Sequence, residues 1–233
     1  IIALGGGSAI DSAKVLAATY DHTGSLSELF GENTLSKRRL PLIVIPTTAG
    51  TGSEVTNIAI LSDPIAQMKK GIVSPCLLPD VAIVAPEMTK TCPPSITAAS
   101  GIDAFVHALE AYISVNASPI TDALAEKALK LIFNSLLHAY NNGENLAARE
   151  DMATGSLMAG LAFGNAGVGA IHALAYPLGG RFHLSHGMSN AVMLPHVLKV
   201  NAPFCQDKLY CVAKLLKVCE RHHSKEEAIK LLL

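Results

Sequence analysis

The sequence predicts an α/β fold whose first part is built on a parallel sheet and whose second part is entirely helical. Three observations predict it. Before Pro93 and Pro94, apolar runs of strand length alternate with turns and one helix. Those runs are almost continuously apolar, the pattern of strands buried on both faces of a parallel sheet. After the two prolines, only helical periodicity remains. The boundary is therefore expected between residues 92 and 93, with parts 1–92 and 93–233.

Taken in order, IIAL (1–4) is the first strand, because four apolar residues stop at three glycines. A helix follows over 8–20, then a polar loop over 24–39 whose glycines and charged residues break any period. LIVIP (42–46), NIAILSD (57–63) and VAIVAP (81–86) are the remaining strands, each bounded by proline, glycine or polar residues. Beyond the prolines, helices are expected over 95–113, 120–141, 145–162, 168–177, 187–200 and 207–221. The second of these, ITDALAEKALKLIFNSLLHAYN, carries apolar residues at helical spacing along one stripe. No internal repeat or low-complexity tract is present.

Two loops at strand ends point to a ligand. GGGS (5–8) lies between a strand and a helix, so its backbone amides and the helix N-terminus can receive a phosphate. It departs from the G-x-G-x-x-G fingerprint, since Ile10 stands at the third glycine position. A glycine-rich turn also needs no ligand. PTTAGTGSEVT (46–56) places Thr47, Thr48, Thr51 and Ser53 directly after a strand. Hydroxyls and amides there suit a pyrophosphate or ribose in the crevice at the carboxyl end of the sheet. An ordinary helix cap by Thr51 or Ser53 is the plainer alternative. Two such loops together favour a dinucleotide. Asp11 is read as structural, charging the first helical turn or pairing near Ser8.

In the helical part, Asp103 and His107 stand four apart in GIDAFVHALEAY, so both side chains leave one face of a helix. His172 and His186 follow in GVGAIHALAYPLGG and LSHGMSNAVMLPHV, spaced so that a helix and a turn can return both imidazoles to one point. A lone histidine on an apolar helix is usually a packed, hydrogen-bonded core residue, and Asp103 could serve a helix N-terminus. The four together, in glycine-rich surroundings, read as one metal site. A carboxylate with three imidazoles suits iron(II), zinc or manganese, not calcium. Iron(II) is preferred, because four protein ligands would saturate a tetrahedral zinc, whereas a larger shell leaves room for a substrate. His183, three before His186, is the rival ligand, and His196 is read as a packing residue.

Composition limits the alternatives. Half the residues are apolar and 16% are charged, as in a well-buried globular chain. A net charge of −1 without a long basic run offers no footprint for nucleic acid. The longest apolar runs are strand-length, short of the roughly 20 residues a membrane span needs. Five cysteines without a C-x-x-C pair indicate reduced thiols and an intracellular setting, with the cytoplasm expected and the mitochondrion left open.

These segments resemble the iron-containing (group III) alcohol dehydrogenases. The resemblance runs from Ile1 to about Asn201 through IIALGGGSAIDSAK, PTTAGTGSEVT, KKGIVSPCLLPDVAIVAPEMT, PPSITAASGIDAFVHALEAY and FGNAGVGAIHALAYPLGGRFHLSHGMSNAVMLPHV. It implies that 1–92 is the C-terminal part of a dinucleotide-binding domain and 93–233 a helical catalytic domain. It implies further that Asp103, His107, His172 and His186 bind the catalytic metal. By the same resemblance, Gly6, Gly7 and Ser8 hold the pyrophosphate of NAD or NADP, Thr47, Thr48 and Thr51 line its cleft, and Lys69 contacts its ribose. Hydride transfer between a small alcohol or aldehyde and the nicotinamide is the implied activity, with homo-oligomers formed by the full-length protein.

Family members extend beyond both ends of this match, so the chain is expected to be an internal fragment whose own activity is left open. Tyr176 stands where many members carry a further histidine, which implies an altered pH profile or substrate preference. Phe163 matches a position that walls the substrate pocket. Two other activities carry the same architecture: hydride exchange between a hydroxy acid and an oxo acid, and a lyase of the dehydroquinate synthase type.

Overall fold

The computed structural model describes residues 1–63, 68–182 and 184–233. Its elements in chain order are β1 (Ile2–Gly5), α1 (Gly7–Thr19), β2 (Gly31–Glu32), β3 (Ile43–Pro46), β4 (Ile58–Asp63), β5 (Met68–Val73) and β6 (Val81–Ala82). There follow α2 (Pro94–Ile113), α3 (Pro119–Asn141), α4 (Leu146–Ala166), α5 (Ala170–Phe182), α6 (His186–Asn201), α7 (Gln206–Leu215) and α8 (Lys225–Leu232). Strands thus occupy the first part and helices the second, as the change of period at the prolines predicts.

The parallel sheet is β1-β3-β6, in register Ile2 with Ile43 and Ile43 with Val81. Not every expected strand joins it. NIAILSD forms β4, which pairs antiparallel with β5, and β5 pairs parallel with β2 in a second three-stranded sheet. The segment MKKGIV reads as charged in sequence, yet its backbone completes a hairpin with its neighbour in the chain. VAIVAP contributes only two paired residues before Pro86 turns the chain. Burial on both faces does not hold for β1 in the described chain. Ala3 is buried with Ile10, Ala17 and Leu42 beneath α1, while Ile2 and Leu4 face outward, because α1 covers one side only.

The helical part closes around α2, which buries residues on nearly all sides. Alanine and leucine positions of α2, α3 and α4 form the main core. Two glycine contacts set the spacing that the site depends on. A Cβ at Gly187 of α6 would stand 1.9 Å from the Ala99 carbonyl oxygen of α2, so only glycine allows those helices to touch there. Gly52, in the left-handed region at φ 61°, meets Gly160 of α4 and brings the threonine-rich loop against the helices.

Most helix ends fall within one residue of expectation, and the larger departures are at the C-terminal ends of α4, α5 and α7. α4 continues to Ala166, where Gly167 at φ 78° ends it. α5 runs past Pro177 to Phe182. α7 stops at Leu215, short of the expected 221, since Lys217 turns left-handed at φ 57° and Val218 N–H closes on the Ala213 carbonyl. α8 is an addition, and its Ser224/Glu227 capping box is the sequence signal that marks its start. Within the expected loop 24–39 lie a 3-10 turn, Leu26–Leu29, and the short β2.

Candidate functional site

Asp103 and His107 project from α2, His172 from the first turns of α5, and His186 from the first residue of α6. Ser185 caps α6 through the Met188 amide, which fixes where His186 enters the helix. Asp103, His107 and His172 are almost fully buried, and their donor atoms lie within 4.8 Å of one another. Nε2 of His172 and Nε2 of His186 each stand 3.5 Å from Asp103 Oδ1. The four residues named from sequence therefore meet at one place. His183 lies outside the described residues.

The ring partners determine which nitrogen of each imidazole faces inward. His107 Nδ1 donates to the Gly50 carbonyl at 3.2 Å, and His172 Nδ1 donates to Glu110 Oε2 at 2.6 Å. Nε2 of each ring is therefore the nitrogen left toward the Asp103 carboxylate. The rings also stack. His107 lies 4.2 Å from the Phe163 ring and 4.3 Å from that of His172, centroid to centroid. Tyr176 stacks on His186 at 5.5 Å.

Burial alone would push the Asp103 carboxyl up, but His107, His172 and His186 hold it below the usual carboxylate range. Burial lowers His107 to about 3, so it is a neutral donor at neutral pH. Burial likewise lowers His186. For His172, burial is outweighed by hydrogen bonds to Asp103 and Glu110, and its value rises to about 9. Two buried carboxylates thus face this imidazole cluster, an excess of negative charge that a cation would neutralise. His172 carries a proton at neutral pH and offsets one of the two carboxylates. The clustered donors, the neutral imidazoles of His107 and His186 and the remaining carboxylate charge fit a divalent metal of the iron, zinc or manganese type, which would displace that proton.

The cluster forms one wall of a cavity of about 280 Å³ whose other walls include Gly7, Ser8, Thr51, Lys69, Phe163, Val168 and Tyr176. α1 begins there without a side-chain cap and without an acidic residue in its first turn, which leaves its amides open to an anion. A Cβ at Gly7 would meet Thr51 at 2.6 Å, and one at Gly6 would reach Thr48 at 3.4 Å, so both loops approach closely. Thr47 N–H donates to the Gly5 carbonyl at 2.9 Å. Of the residues expected to hold the cofactor, Gly7, Ser8, Thr51 and Lys69 line this cavity, and Gly6, Thr47 and Thr48 do not. Tyr176 is held above its ordinary value by burial and neighbouring carboxylates, so its hydroxyl stays protonated.

Asp11 has a different structural role from the one read in sequence. It caps no helix; one carboxylate oxygen accepts from the Ser53 hydroxyl and the other from the Ile60 amide at 2.9 Å, tying α1 to the threonine loop and β4. Sequence reading also missed three buried polar residues. Lys14 donates to the carbonyls of Thr56 and Ile58, each at 2.8 Å. Glu110 and Asn190 support the histidine cluster, with Asn190 Nδ2 donating to Asp103 Oδ1 at 2.6 Å. Their positions were available: Glu110 is seven after Asp103, and Asn190 four after His186, each on the same helix face.

Comparison with known proteins gives a consistent set. Residues 1–86 match the profile of the iron-containing alcohol dehydrogenases, and residues 97–232 that of the C-terminal part of the Fe-containing alcohol dehydrogenase family. Long-chain-alcohol dehydrogenase 1 of Geobacillus thermodenitrificans (strain NG80-2) is 54% identical over 212 residues, covering 90% of this chain and 53% of that protein. Alcohol dehydrogenase 4 of Saccharomyces cerevisiae (strain ATCC 204508 / S288c) is 42% identical, covering 100% and 61%. Among solved structures, 1,3-propanediol oxidoreductase superposes with a TM-score of 0.94 at 42% identity, covering 100% of this chain and 62% of the other. Sulfoacetaldehyde reductase from Bifidobacterium kashiwanohense in complex with NAD+ has a TM-score of 0.89 at 34% identity, covering 99% and 61%. The chain thus spans between about half and three-fifths of the length of these relatives.

Proposed function

The chain belongs to the iron-containing alcohol dehydrogenase family, and on that premise we propose that the protein is a metal-dependent alcohol dehydrogenase using NAD or NADP. The observation that carries the reading is the single cavity that joins the uncapped start of α1 to the Asp103, His107, His172 and His186 cluster. Residues 1–92 present the cofactor and residues 93–233 the metal, with iron(II) the ion of choice and zinc or manganese its substitutes. When bound, the metal supplies Lewis acidity, favouring loss of the alcohol proton in one direction and polarising the aldehyde carbonyl in the other.

The remaining roles belong to the chain's own residues. Amides of Gly6, Gly7 and Ser8 receive the pyrophosphate at the helix N-terminus. Thr47, Thr48 and Thr51 line the cofactor cleft behind them, and Lys69 approaches the ribose from β5. Phe163, Val168 and the apolar faces of Ile58 and Ile60 exclude water from the carbon that gives up hydride. The Tyr176 hydroxyl, kept protonated, donates a hydrogen bond to the substrate side of the cavity. A nicotinamide held in this cleft would accept hydride from the alcohol carbon, with the alcohol proton released to solvent. Alcohols and aldehydes are the substrate class, a reading supported by the alcohol dehydrogenases among the relatives. A homo-oligomer in an intracellular setting completes the reading.

The test is absorbance of reduced nicotinamide in iron-loaded full-length protein offered a panel of short-chain alcohols. Alcohol-dependent reduction is expected. Metal-loaded protein that reduces neither NAD nor NADP with any alcohol, and oxidises neither reduced form with any aldehyde, would remove the dehydrogenase assignment.

A further inference from the structure

We propose that Glu110 is the positioning residue that presents His172 to the metal, a proposal that rests on the metal reading of the Asp103 cluster. Glu110 is 3% exposed and lies on α2, the helix that also carries Asp103 and His107. Its two carboxylate oxygens have separate tasks. Oε1 accepts the Ile171 amide at 2.7 Å, and the Gly169 amide also bonds to this carboxylate, so it closes the open N-terminus of α5 from another helix. Oε2 accepts the His172 Nδ1 proton at 2.6 Å. Gly169 makes room for this arrangement, since a Cβ there would stand 2.9 Å from Glu110 Oε1.

The consequence is a defined ring. With Nδ1 bound as donor, His172 turns Nε2 toward Asp103 Oδ1, and Nε2 is the nitrogen that would meet a metal once its proton is displaced. The same carboxylate holds the start of α5, so the ring's height and its rotation are set by one residue. Fixing both requires two acceptors. The Ile171 amide can only donate, and the tautomer needed for metal requires Nδ1 to donate as well.

Glu110→Gln separates positioning from bulk. Glutamine keeps the shape but offers one acceptor and one NH2 group. Its oxygen must serve the backbone amide, which has no alternative form. The NH2 group then faces His172 Nδ1, which must become the acceptor, and the proton moves to Nε2 where the metal would bind.

The experiment uses full-length protein, stripped of metal and titrated with Co(II) alone, followed by the absorption of the bound ion. The expected result is that Glu110→Gln weakens Co(II) about 10- to 100-fold while circular dichroism and melting temperature stay near those of the parent. Nitrogen NMR of 15N-histidine protein supplies a second reading. Nδ1 of His172 should be protonated in the Zn(II)-loaded parent and unprotonated in metal-free Glu110→Gln. Equal Co(II) affinity in the variant overturns the proposal and leaves the metal site standing. Weaker binding with Nδ1 still protonated in the metal-free variant overturns it too, because Glu110 would then act only on structure. A Zn(II)-loaded parent with unprotonated Nδ1 overturns it even if the variant does not fold. A parent that binds no Co(II) removes the metal reading itself, and the proposal with it.

Discussion

Lys14 is fully buried in α1, with its ammonium among the Thr56 and Ile58 carbonyls and 3.9 Å from Asp11. Burial lowers its value from 10.5 to about 8, against the raising influence of Asp11 and Glu54. Between pH 8 and 10.5 the unfolded chain therefore holds a proton that the folded chain has released, and stability contributed by this residue rises with pH through that window. At about 1.4 kcal/mol per unit, the gain is roughly 3 kcal/mol. Urea unfolding of the parent and of Lys14→Met from pH 7 to pH 10 should show the difference between them growing above pH 8; a flat difference would contradict the burial argument. Such a residue is hard to read in sequence. Asp103 and His107 were legible because ligand chemistry has a spacing, whereas Lys14, Glu110 and Asn190 acquire their roles from partners 18 to 87 residues away.

Among the elements, the helices were the most legible, because proline at their starts and apolar stripes along them act locally. Ser118 with Pro119 and Thr121 makes the start of α3 readable from four residues. Strand pairing was less legible, since hydrogen bonding between β4 and β5 depends on backbone geometry and not on the lysines that dominate the MKKGIV sequence. Apart from the four proposed ligands, contacts between elements were not legible. α6 approaches the α2 backbone most closely at Gly187, and His186 is its immediate neighbour. Gly187→Ala should force the helices apart, lowering stability by about 1–3 kcal/mol and moving His186 away from Asp103. Thermal unfolding and metal content together check this; unchanged values of both would mean that the contact is not what sets the helix spacing.

At the scale of the whole molecule, the threonine-rich loop crosses from the sheet part to the helical part and meets Gly160 through Gly52, so two separate sequence signals share one cavity. The fold class was legible from the change of period at Pro93 and Pro94. The shared cavity was implied by the family resemblance, whereas the glycine contacts that shape it join residues about 100 positions apart and were not legible. No single helix among the described residues is long and apolar enough to cross a membrane.

The central claim is that α2, α5 and α6 hold one metal ion through the four proposed ligands. Elemental analysis of anaerobically purified full-length protein and of its single alanine variants tests that claim most directly. About one ion per chain is expected in the parent, with a sharp loss in each of Asp103→Ala, His107→Ala, His172→Ala and His186→Ala. Full metal content in any folded member of that set would contradict the four-residue site, and a parent without metal would contradict the site altogether.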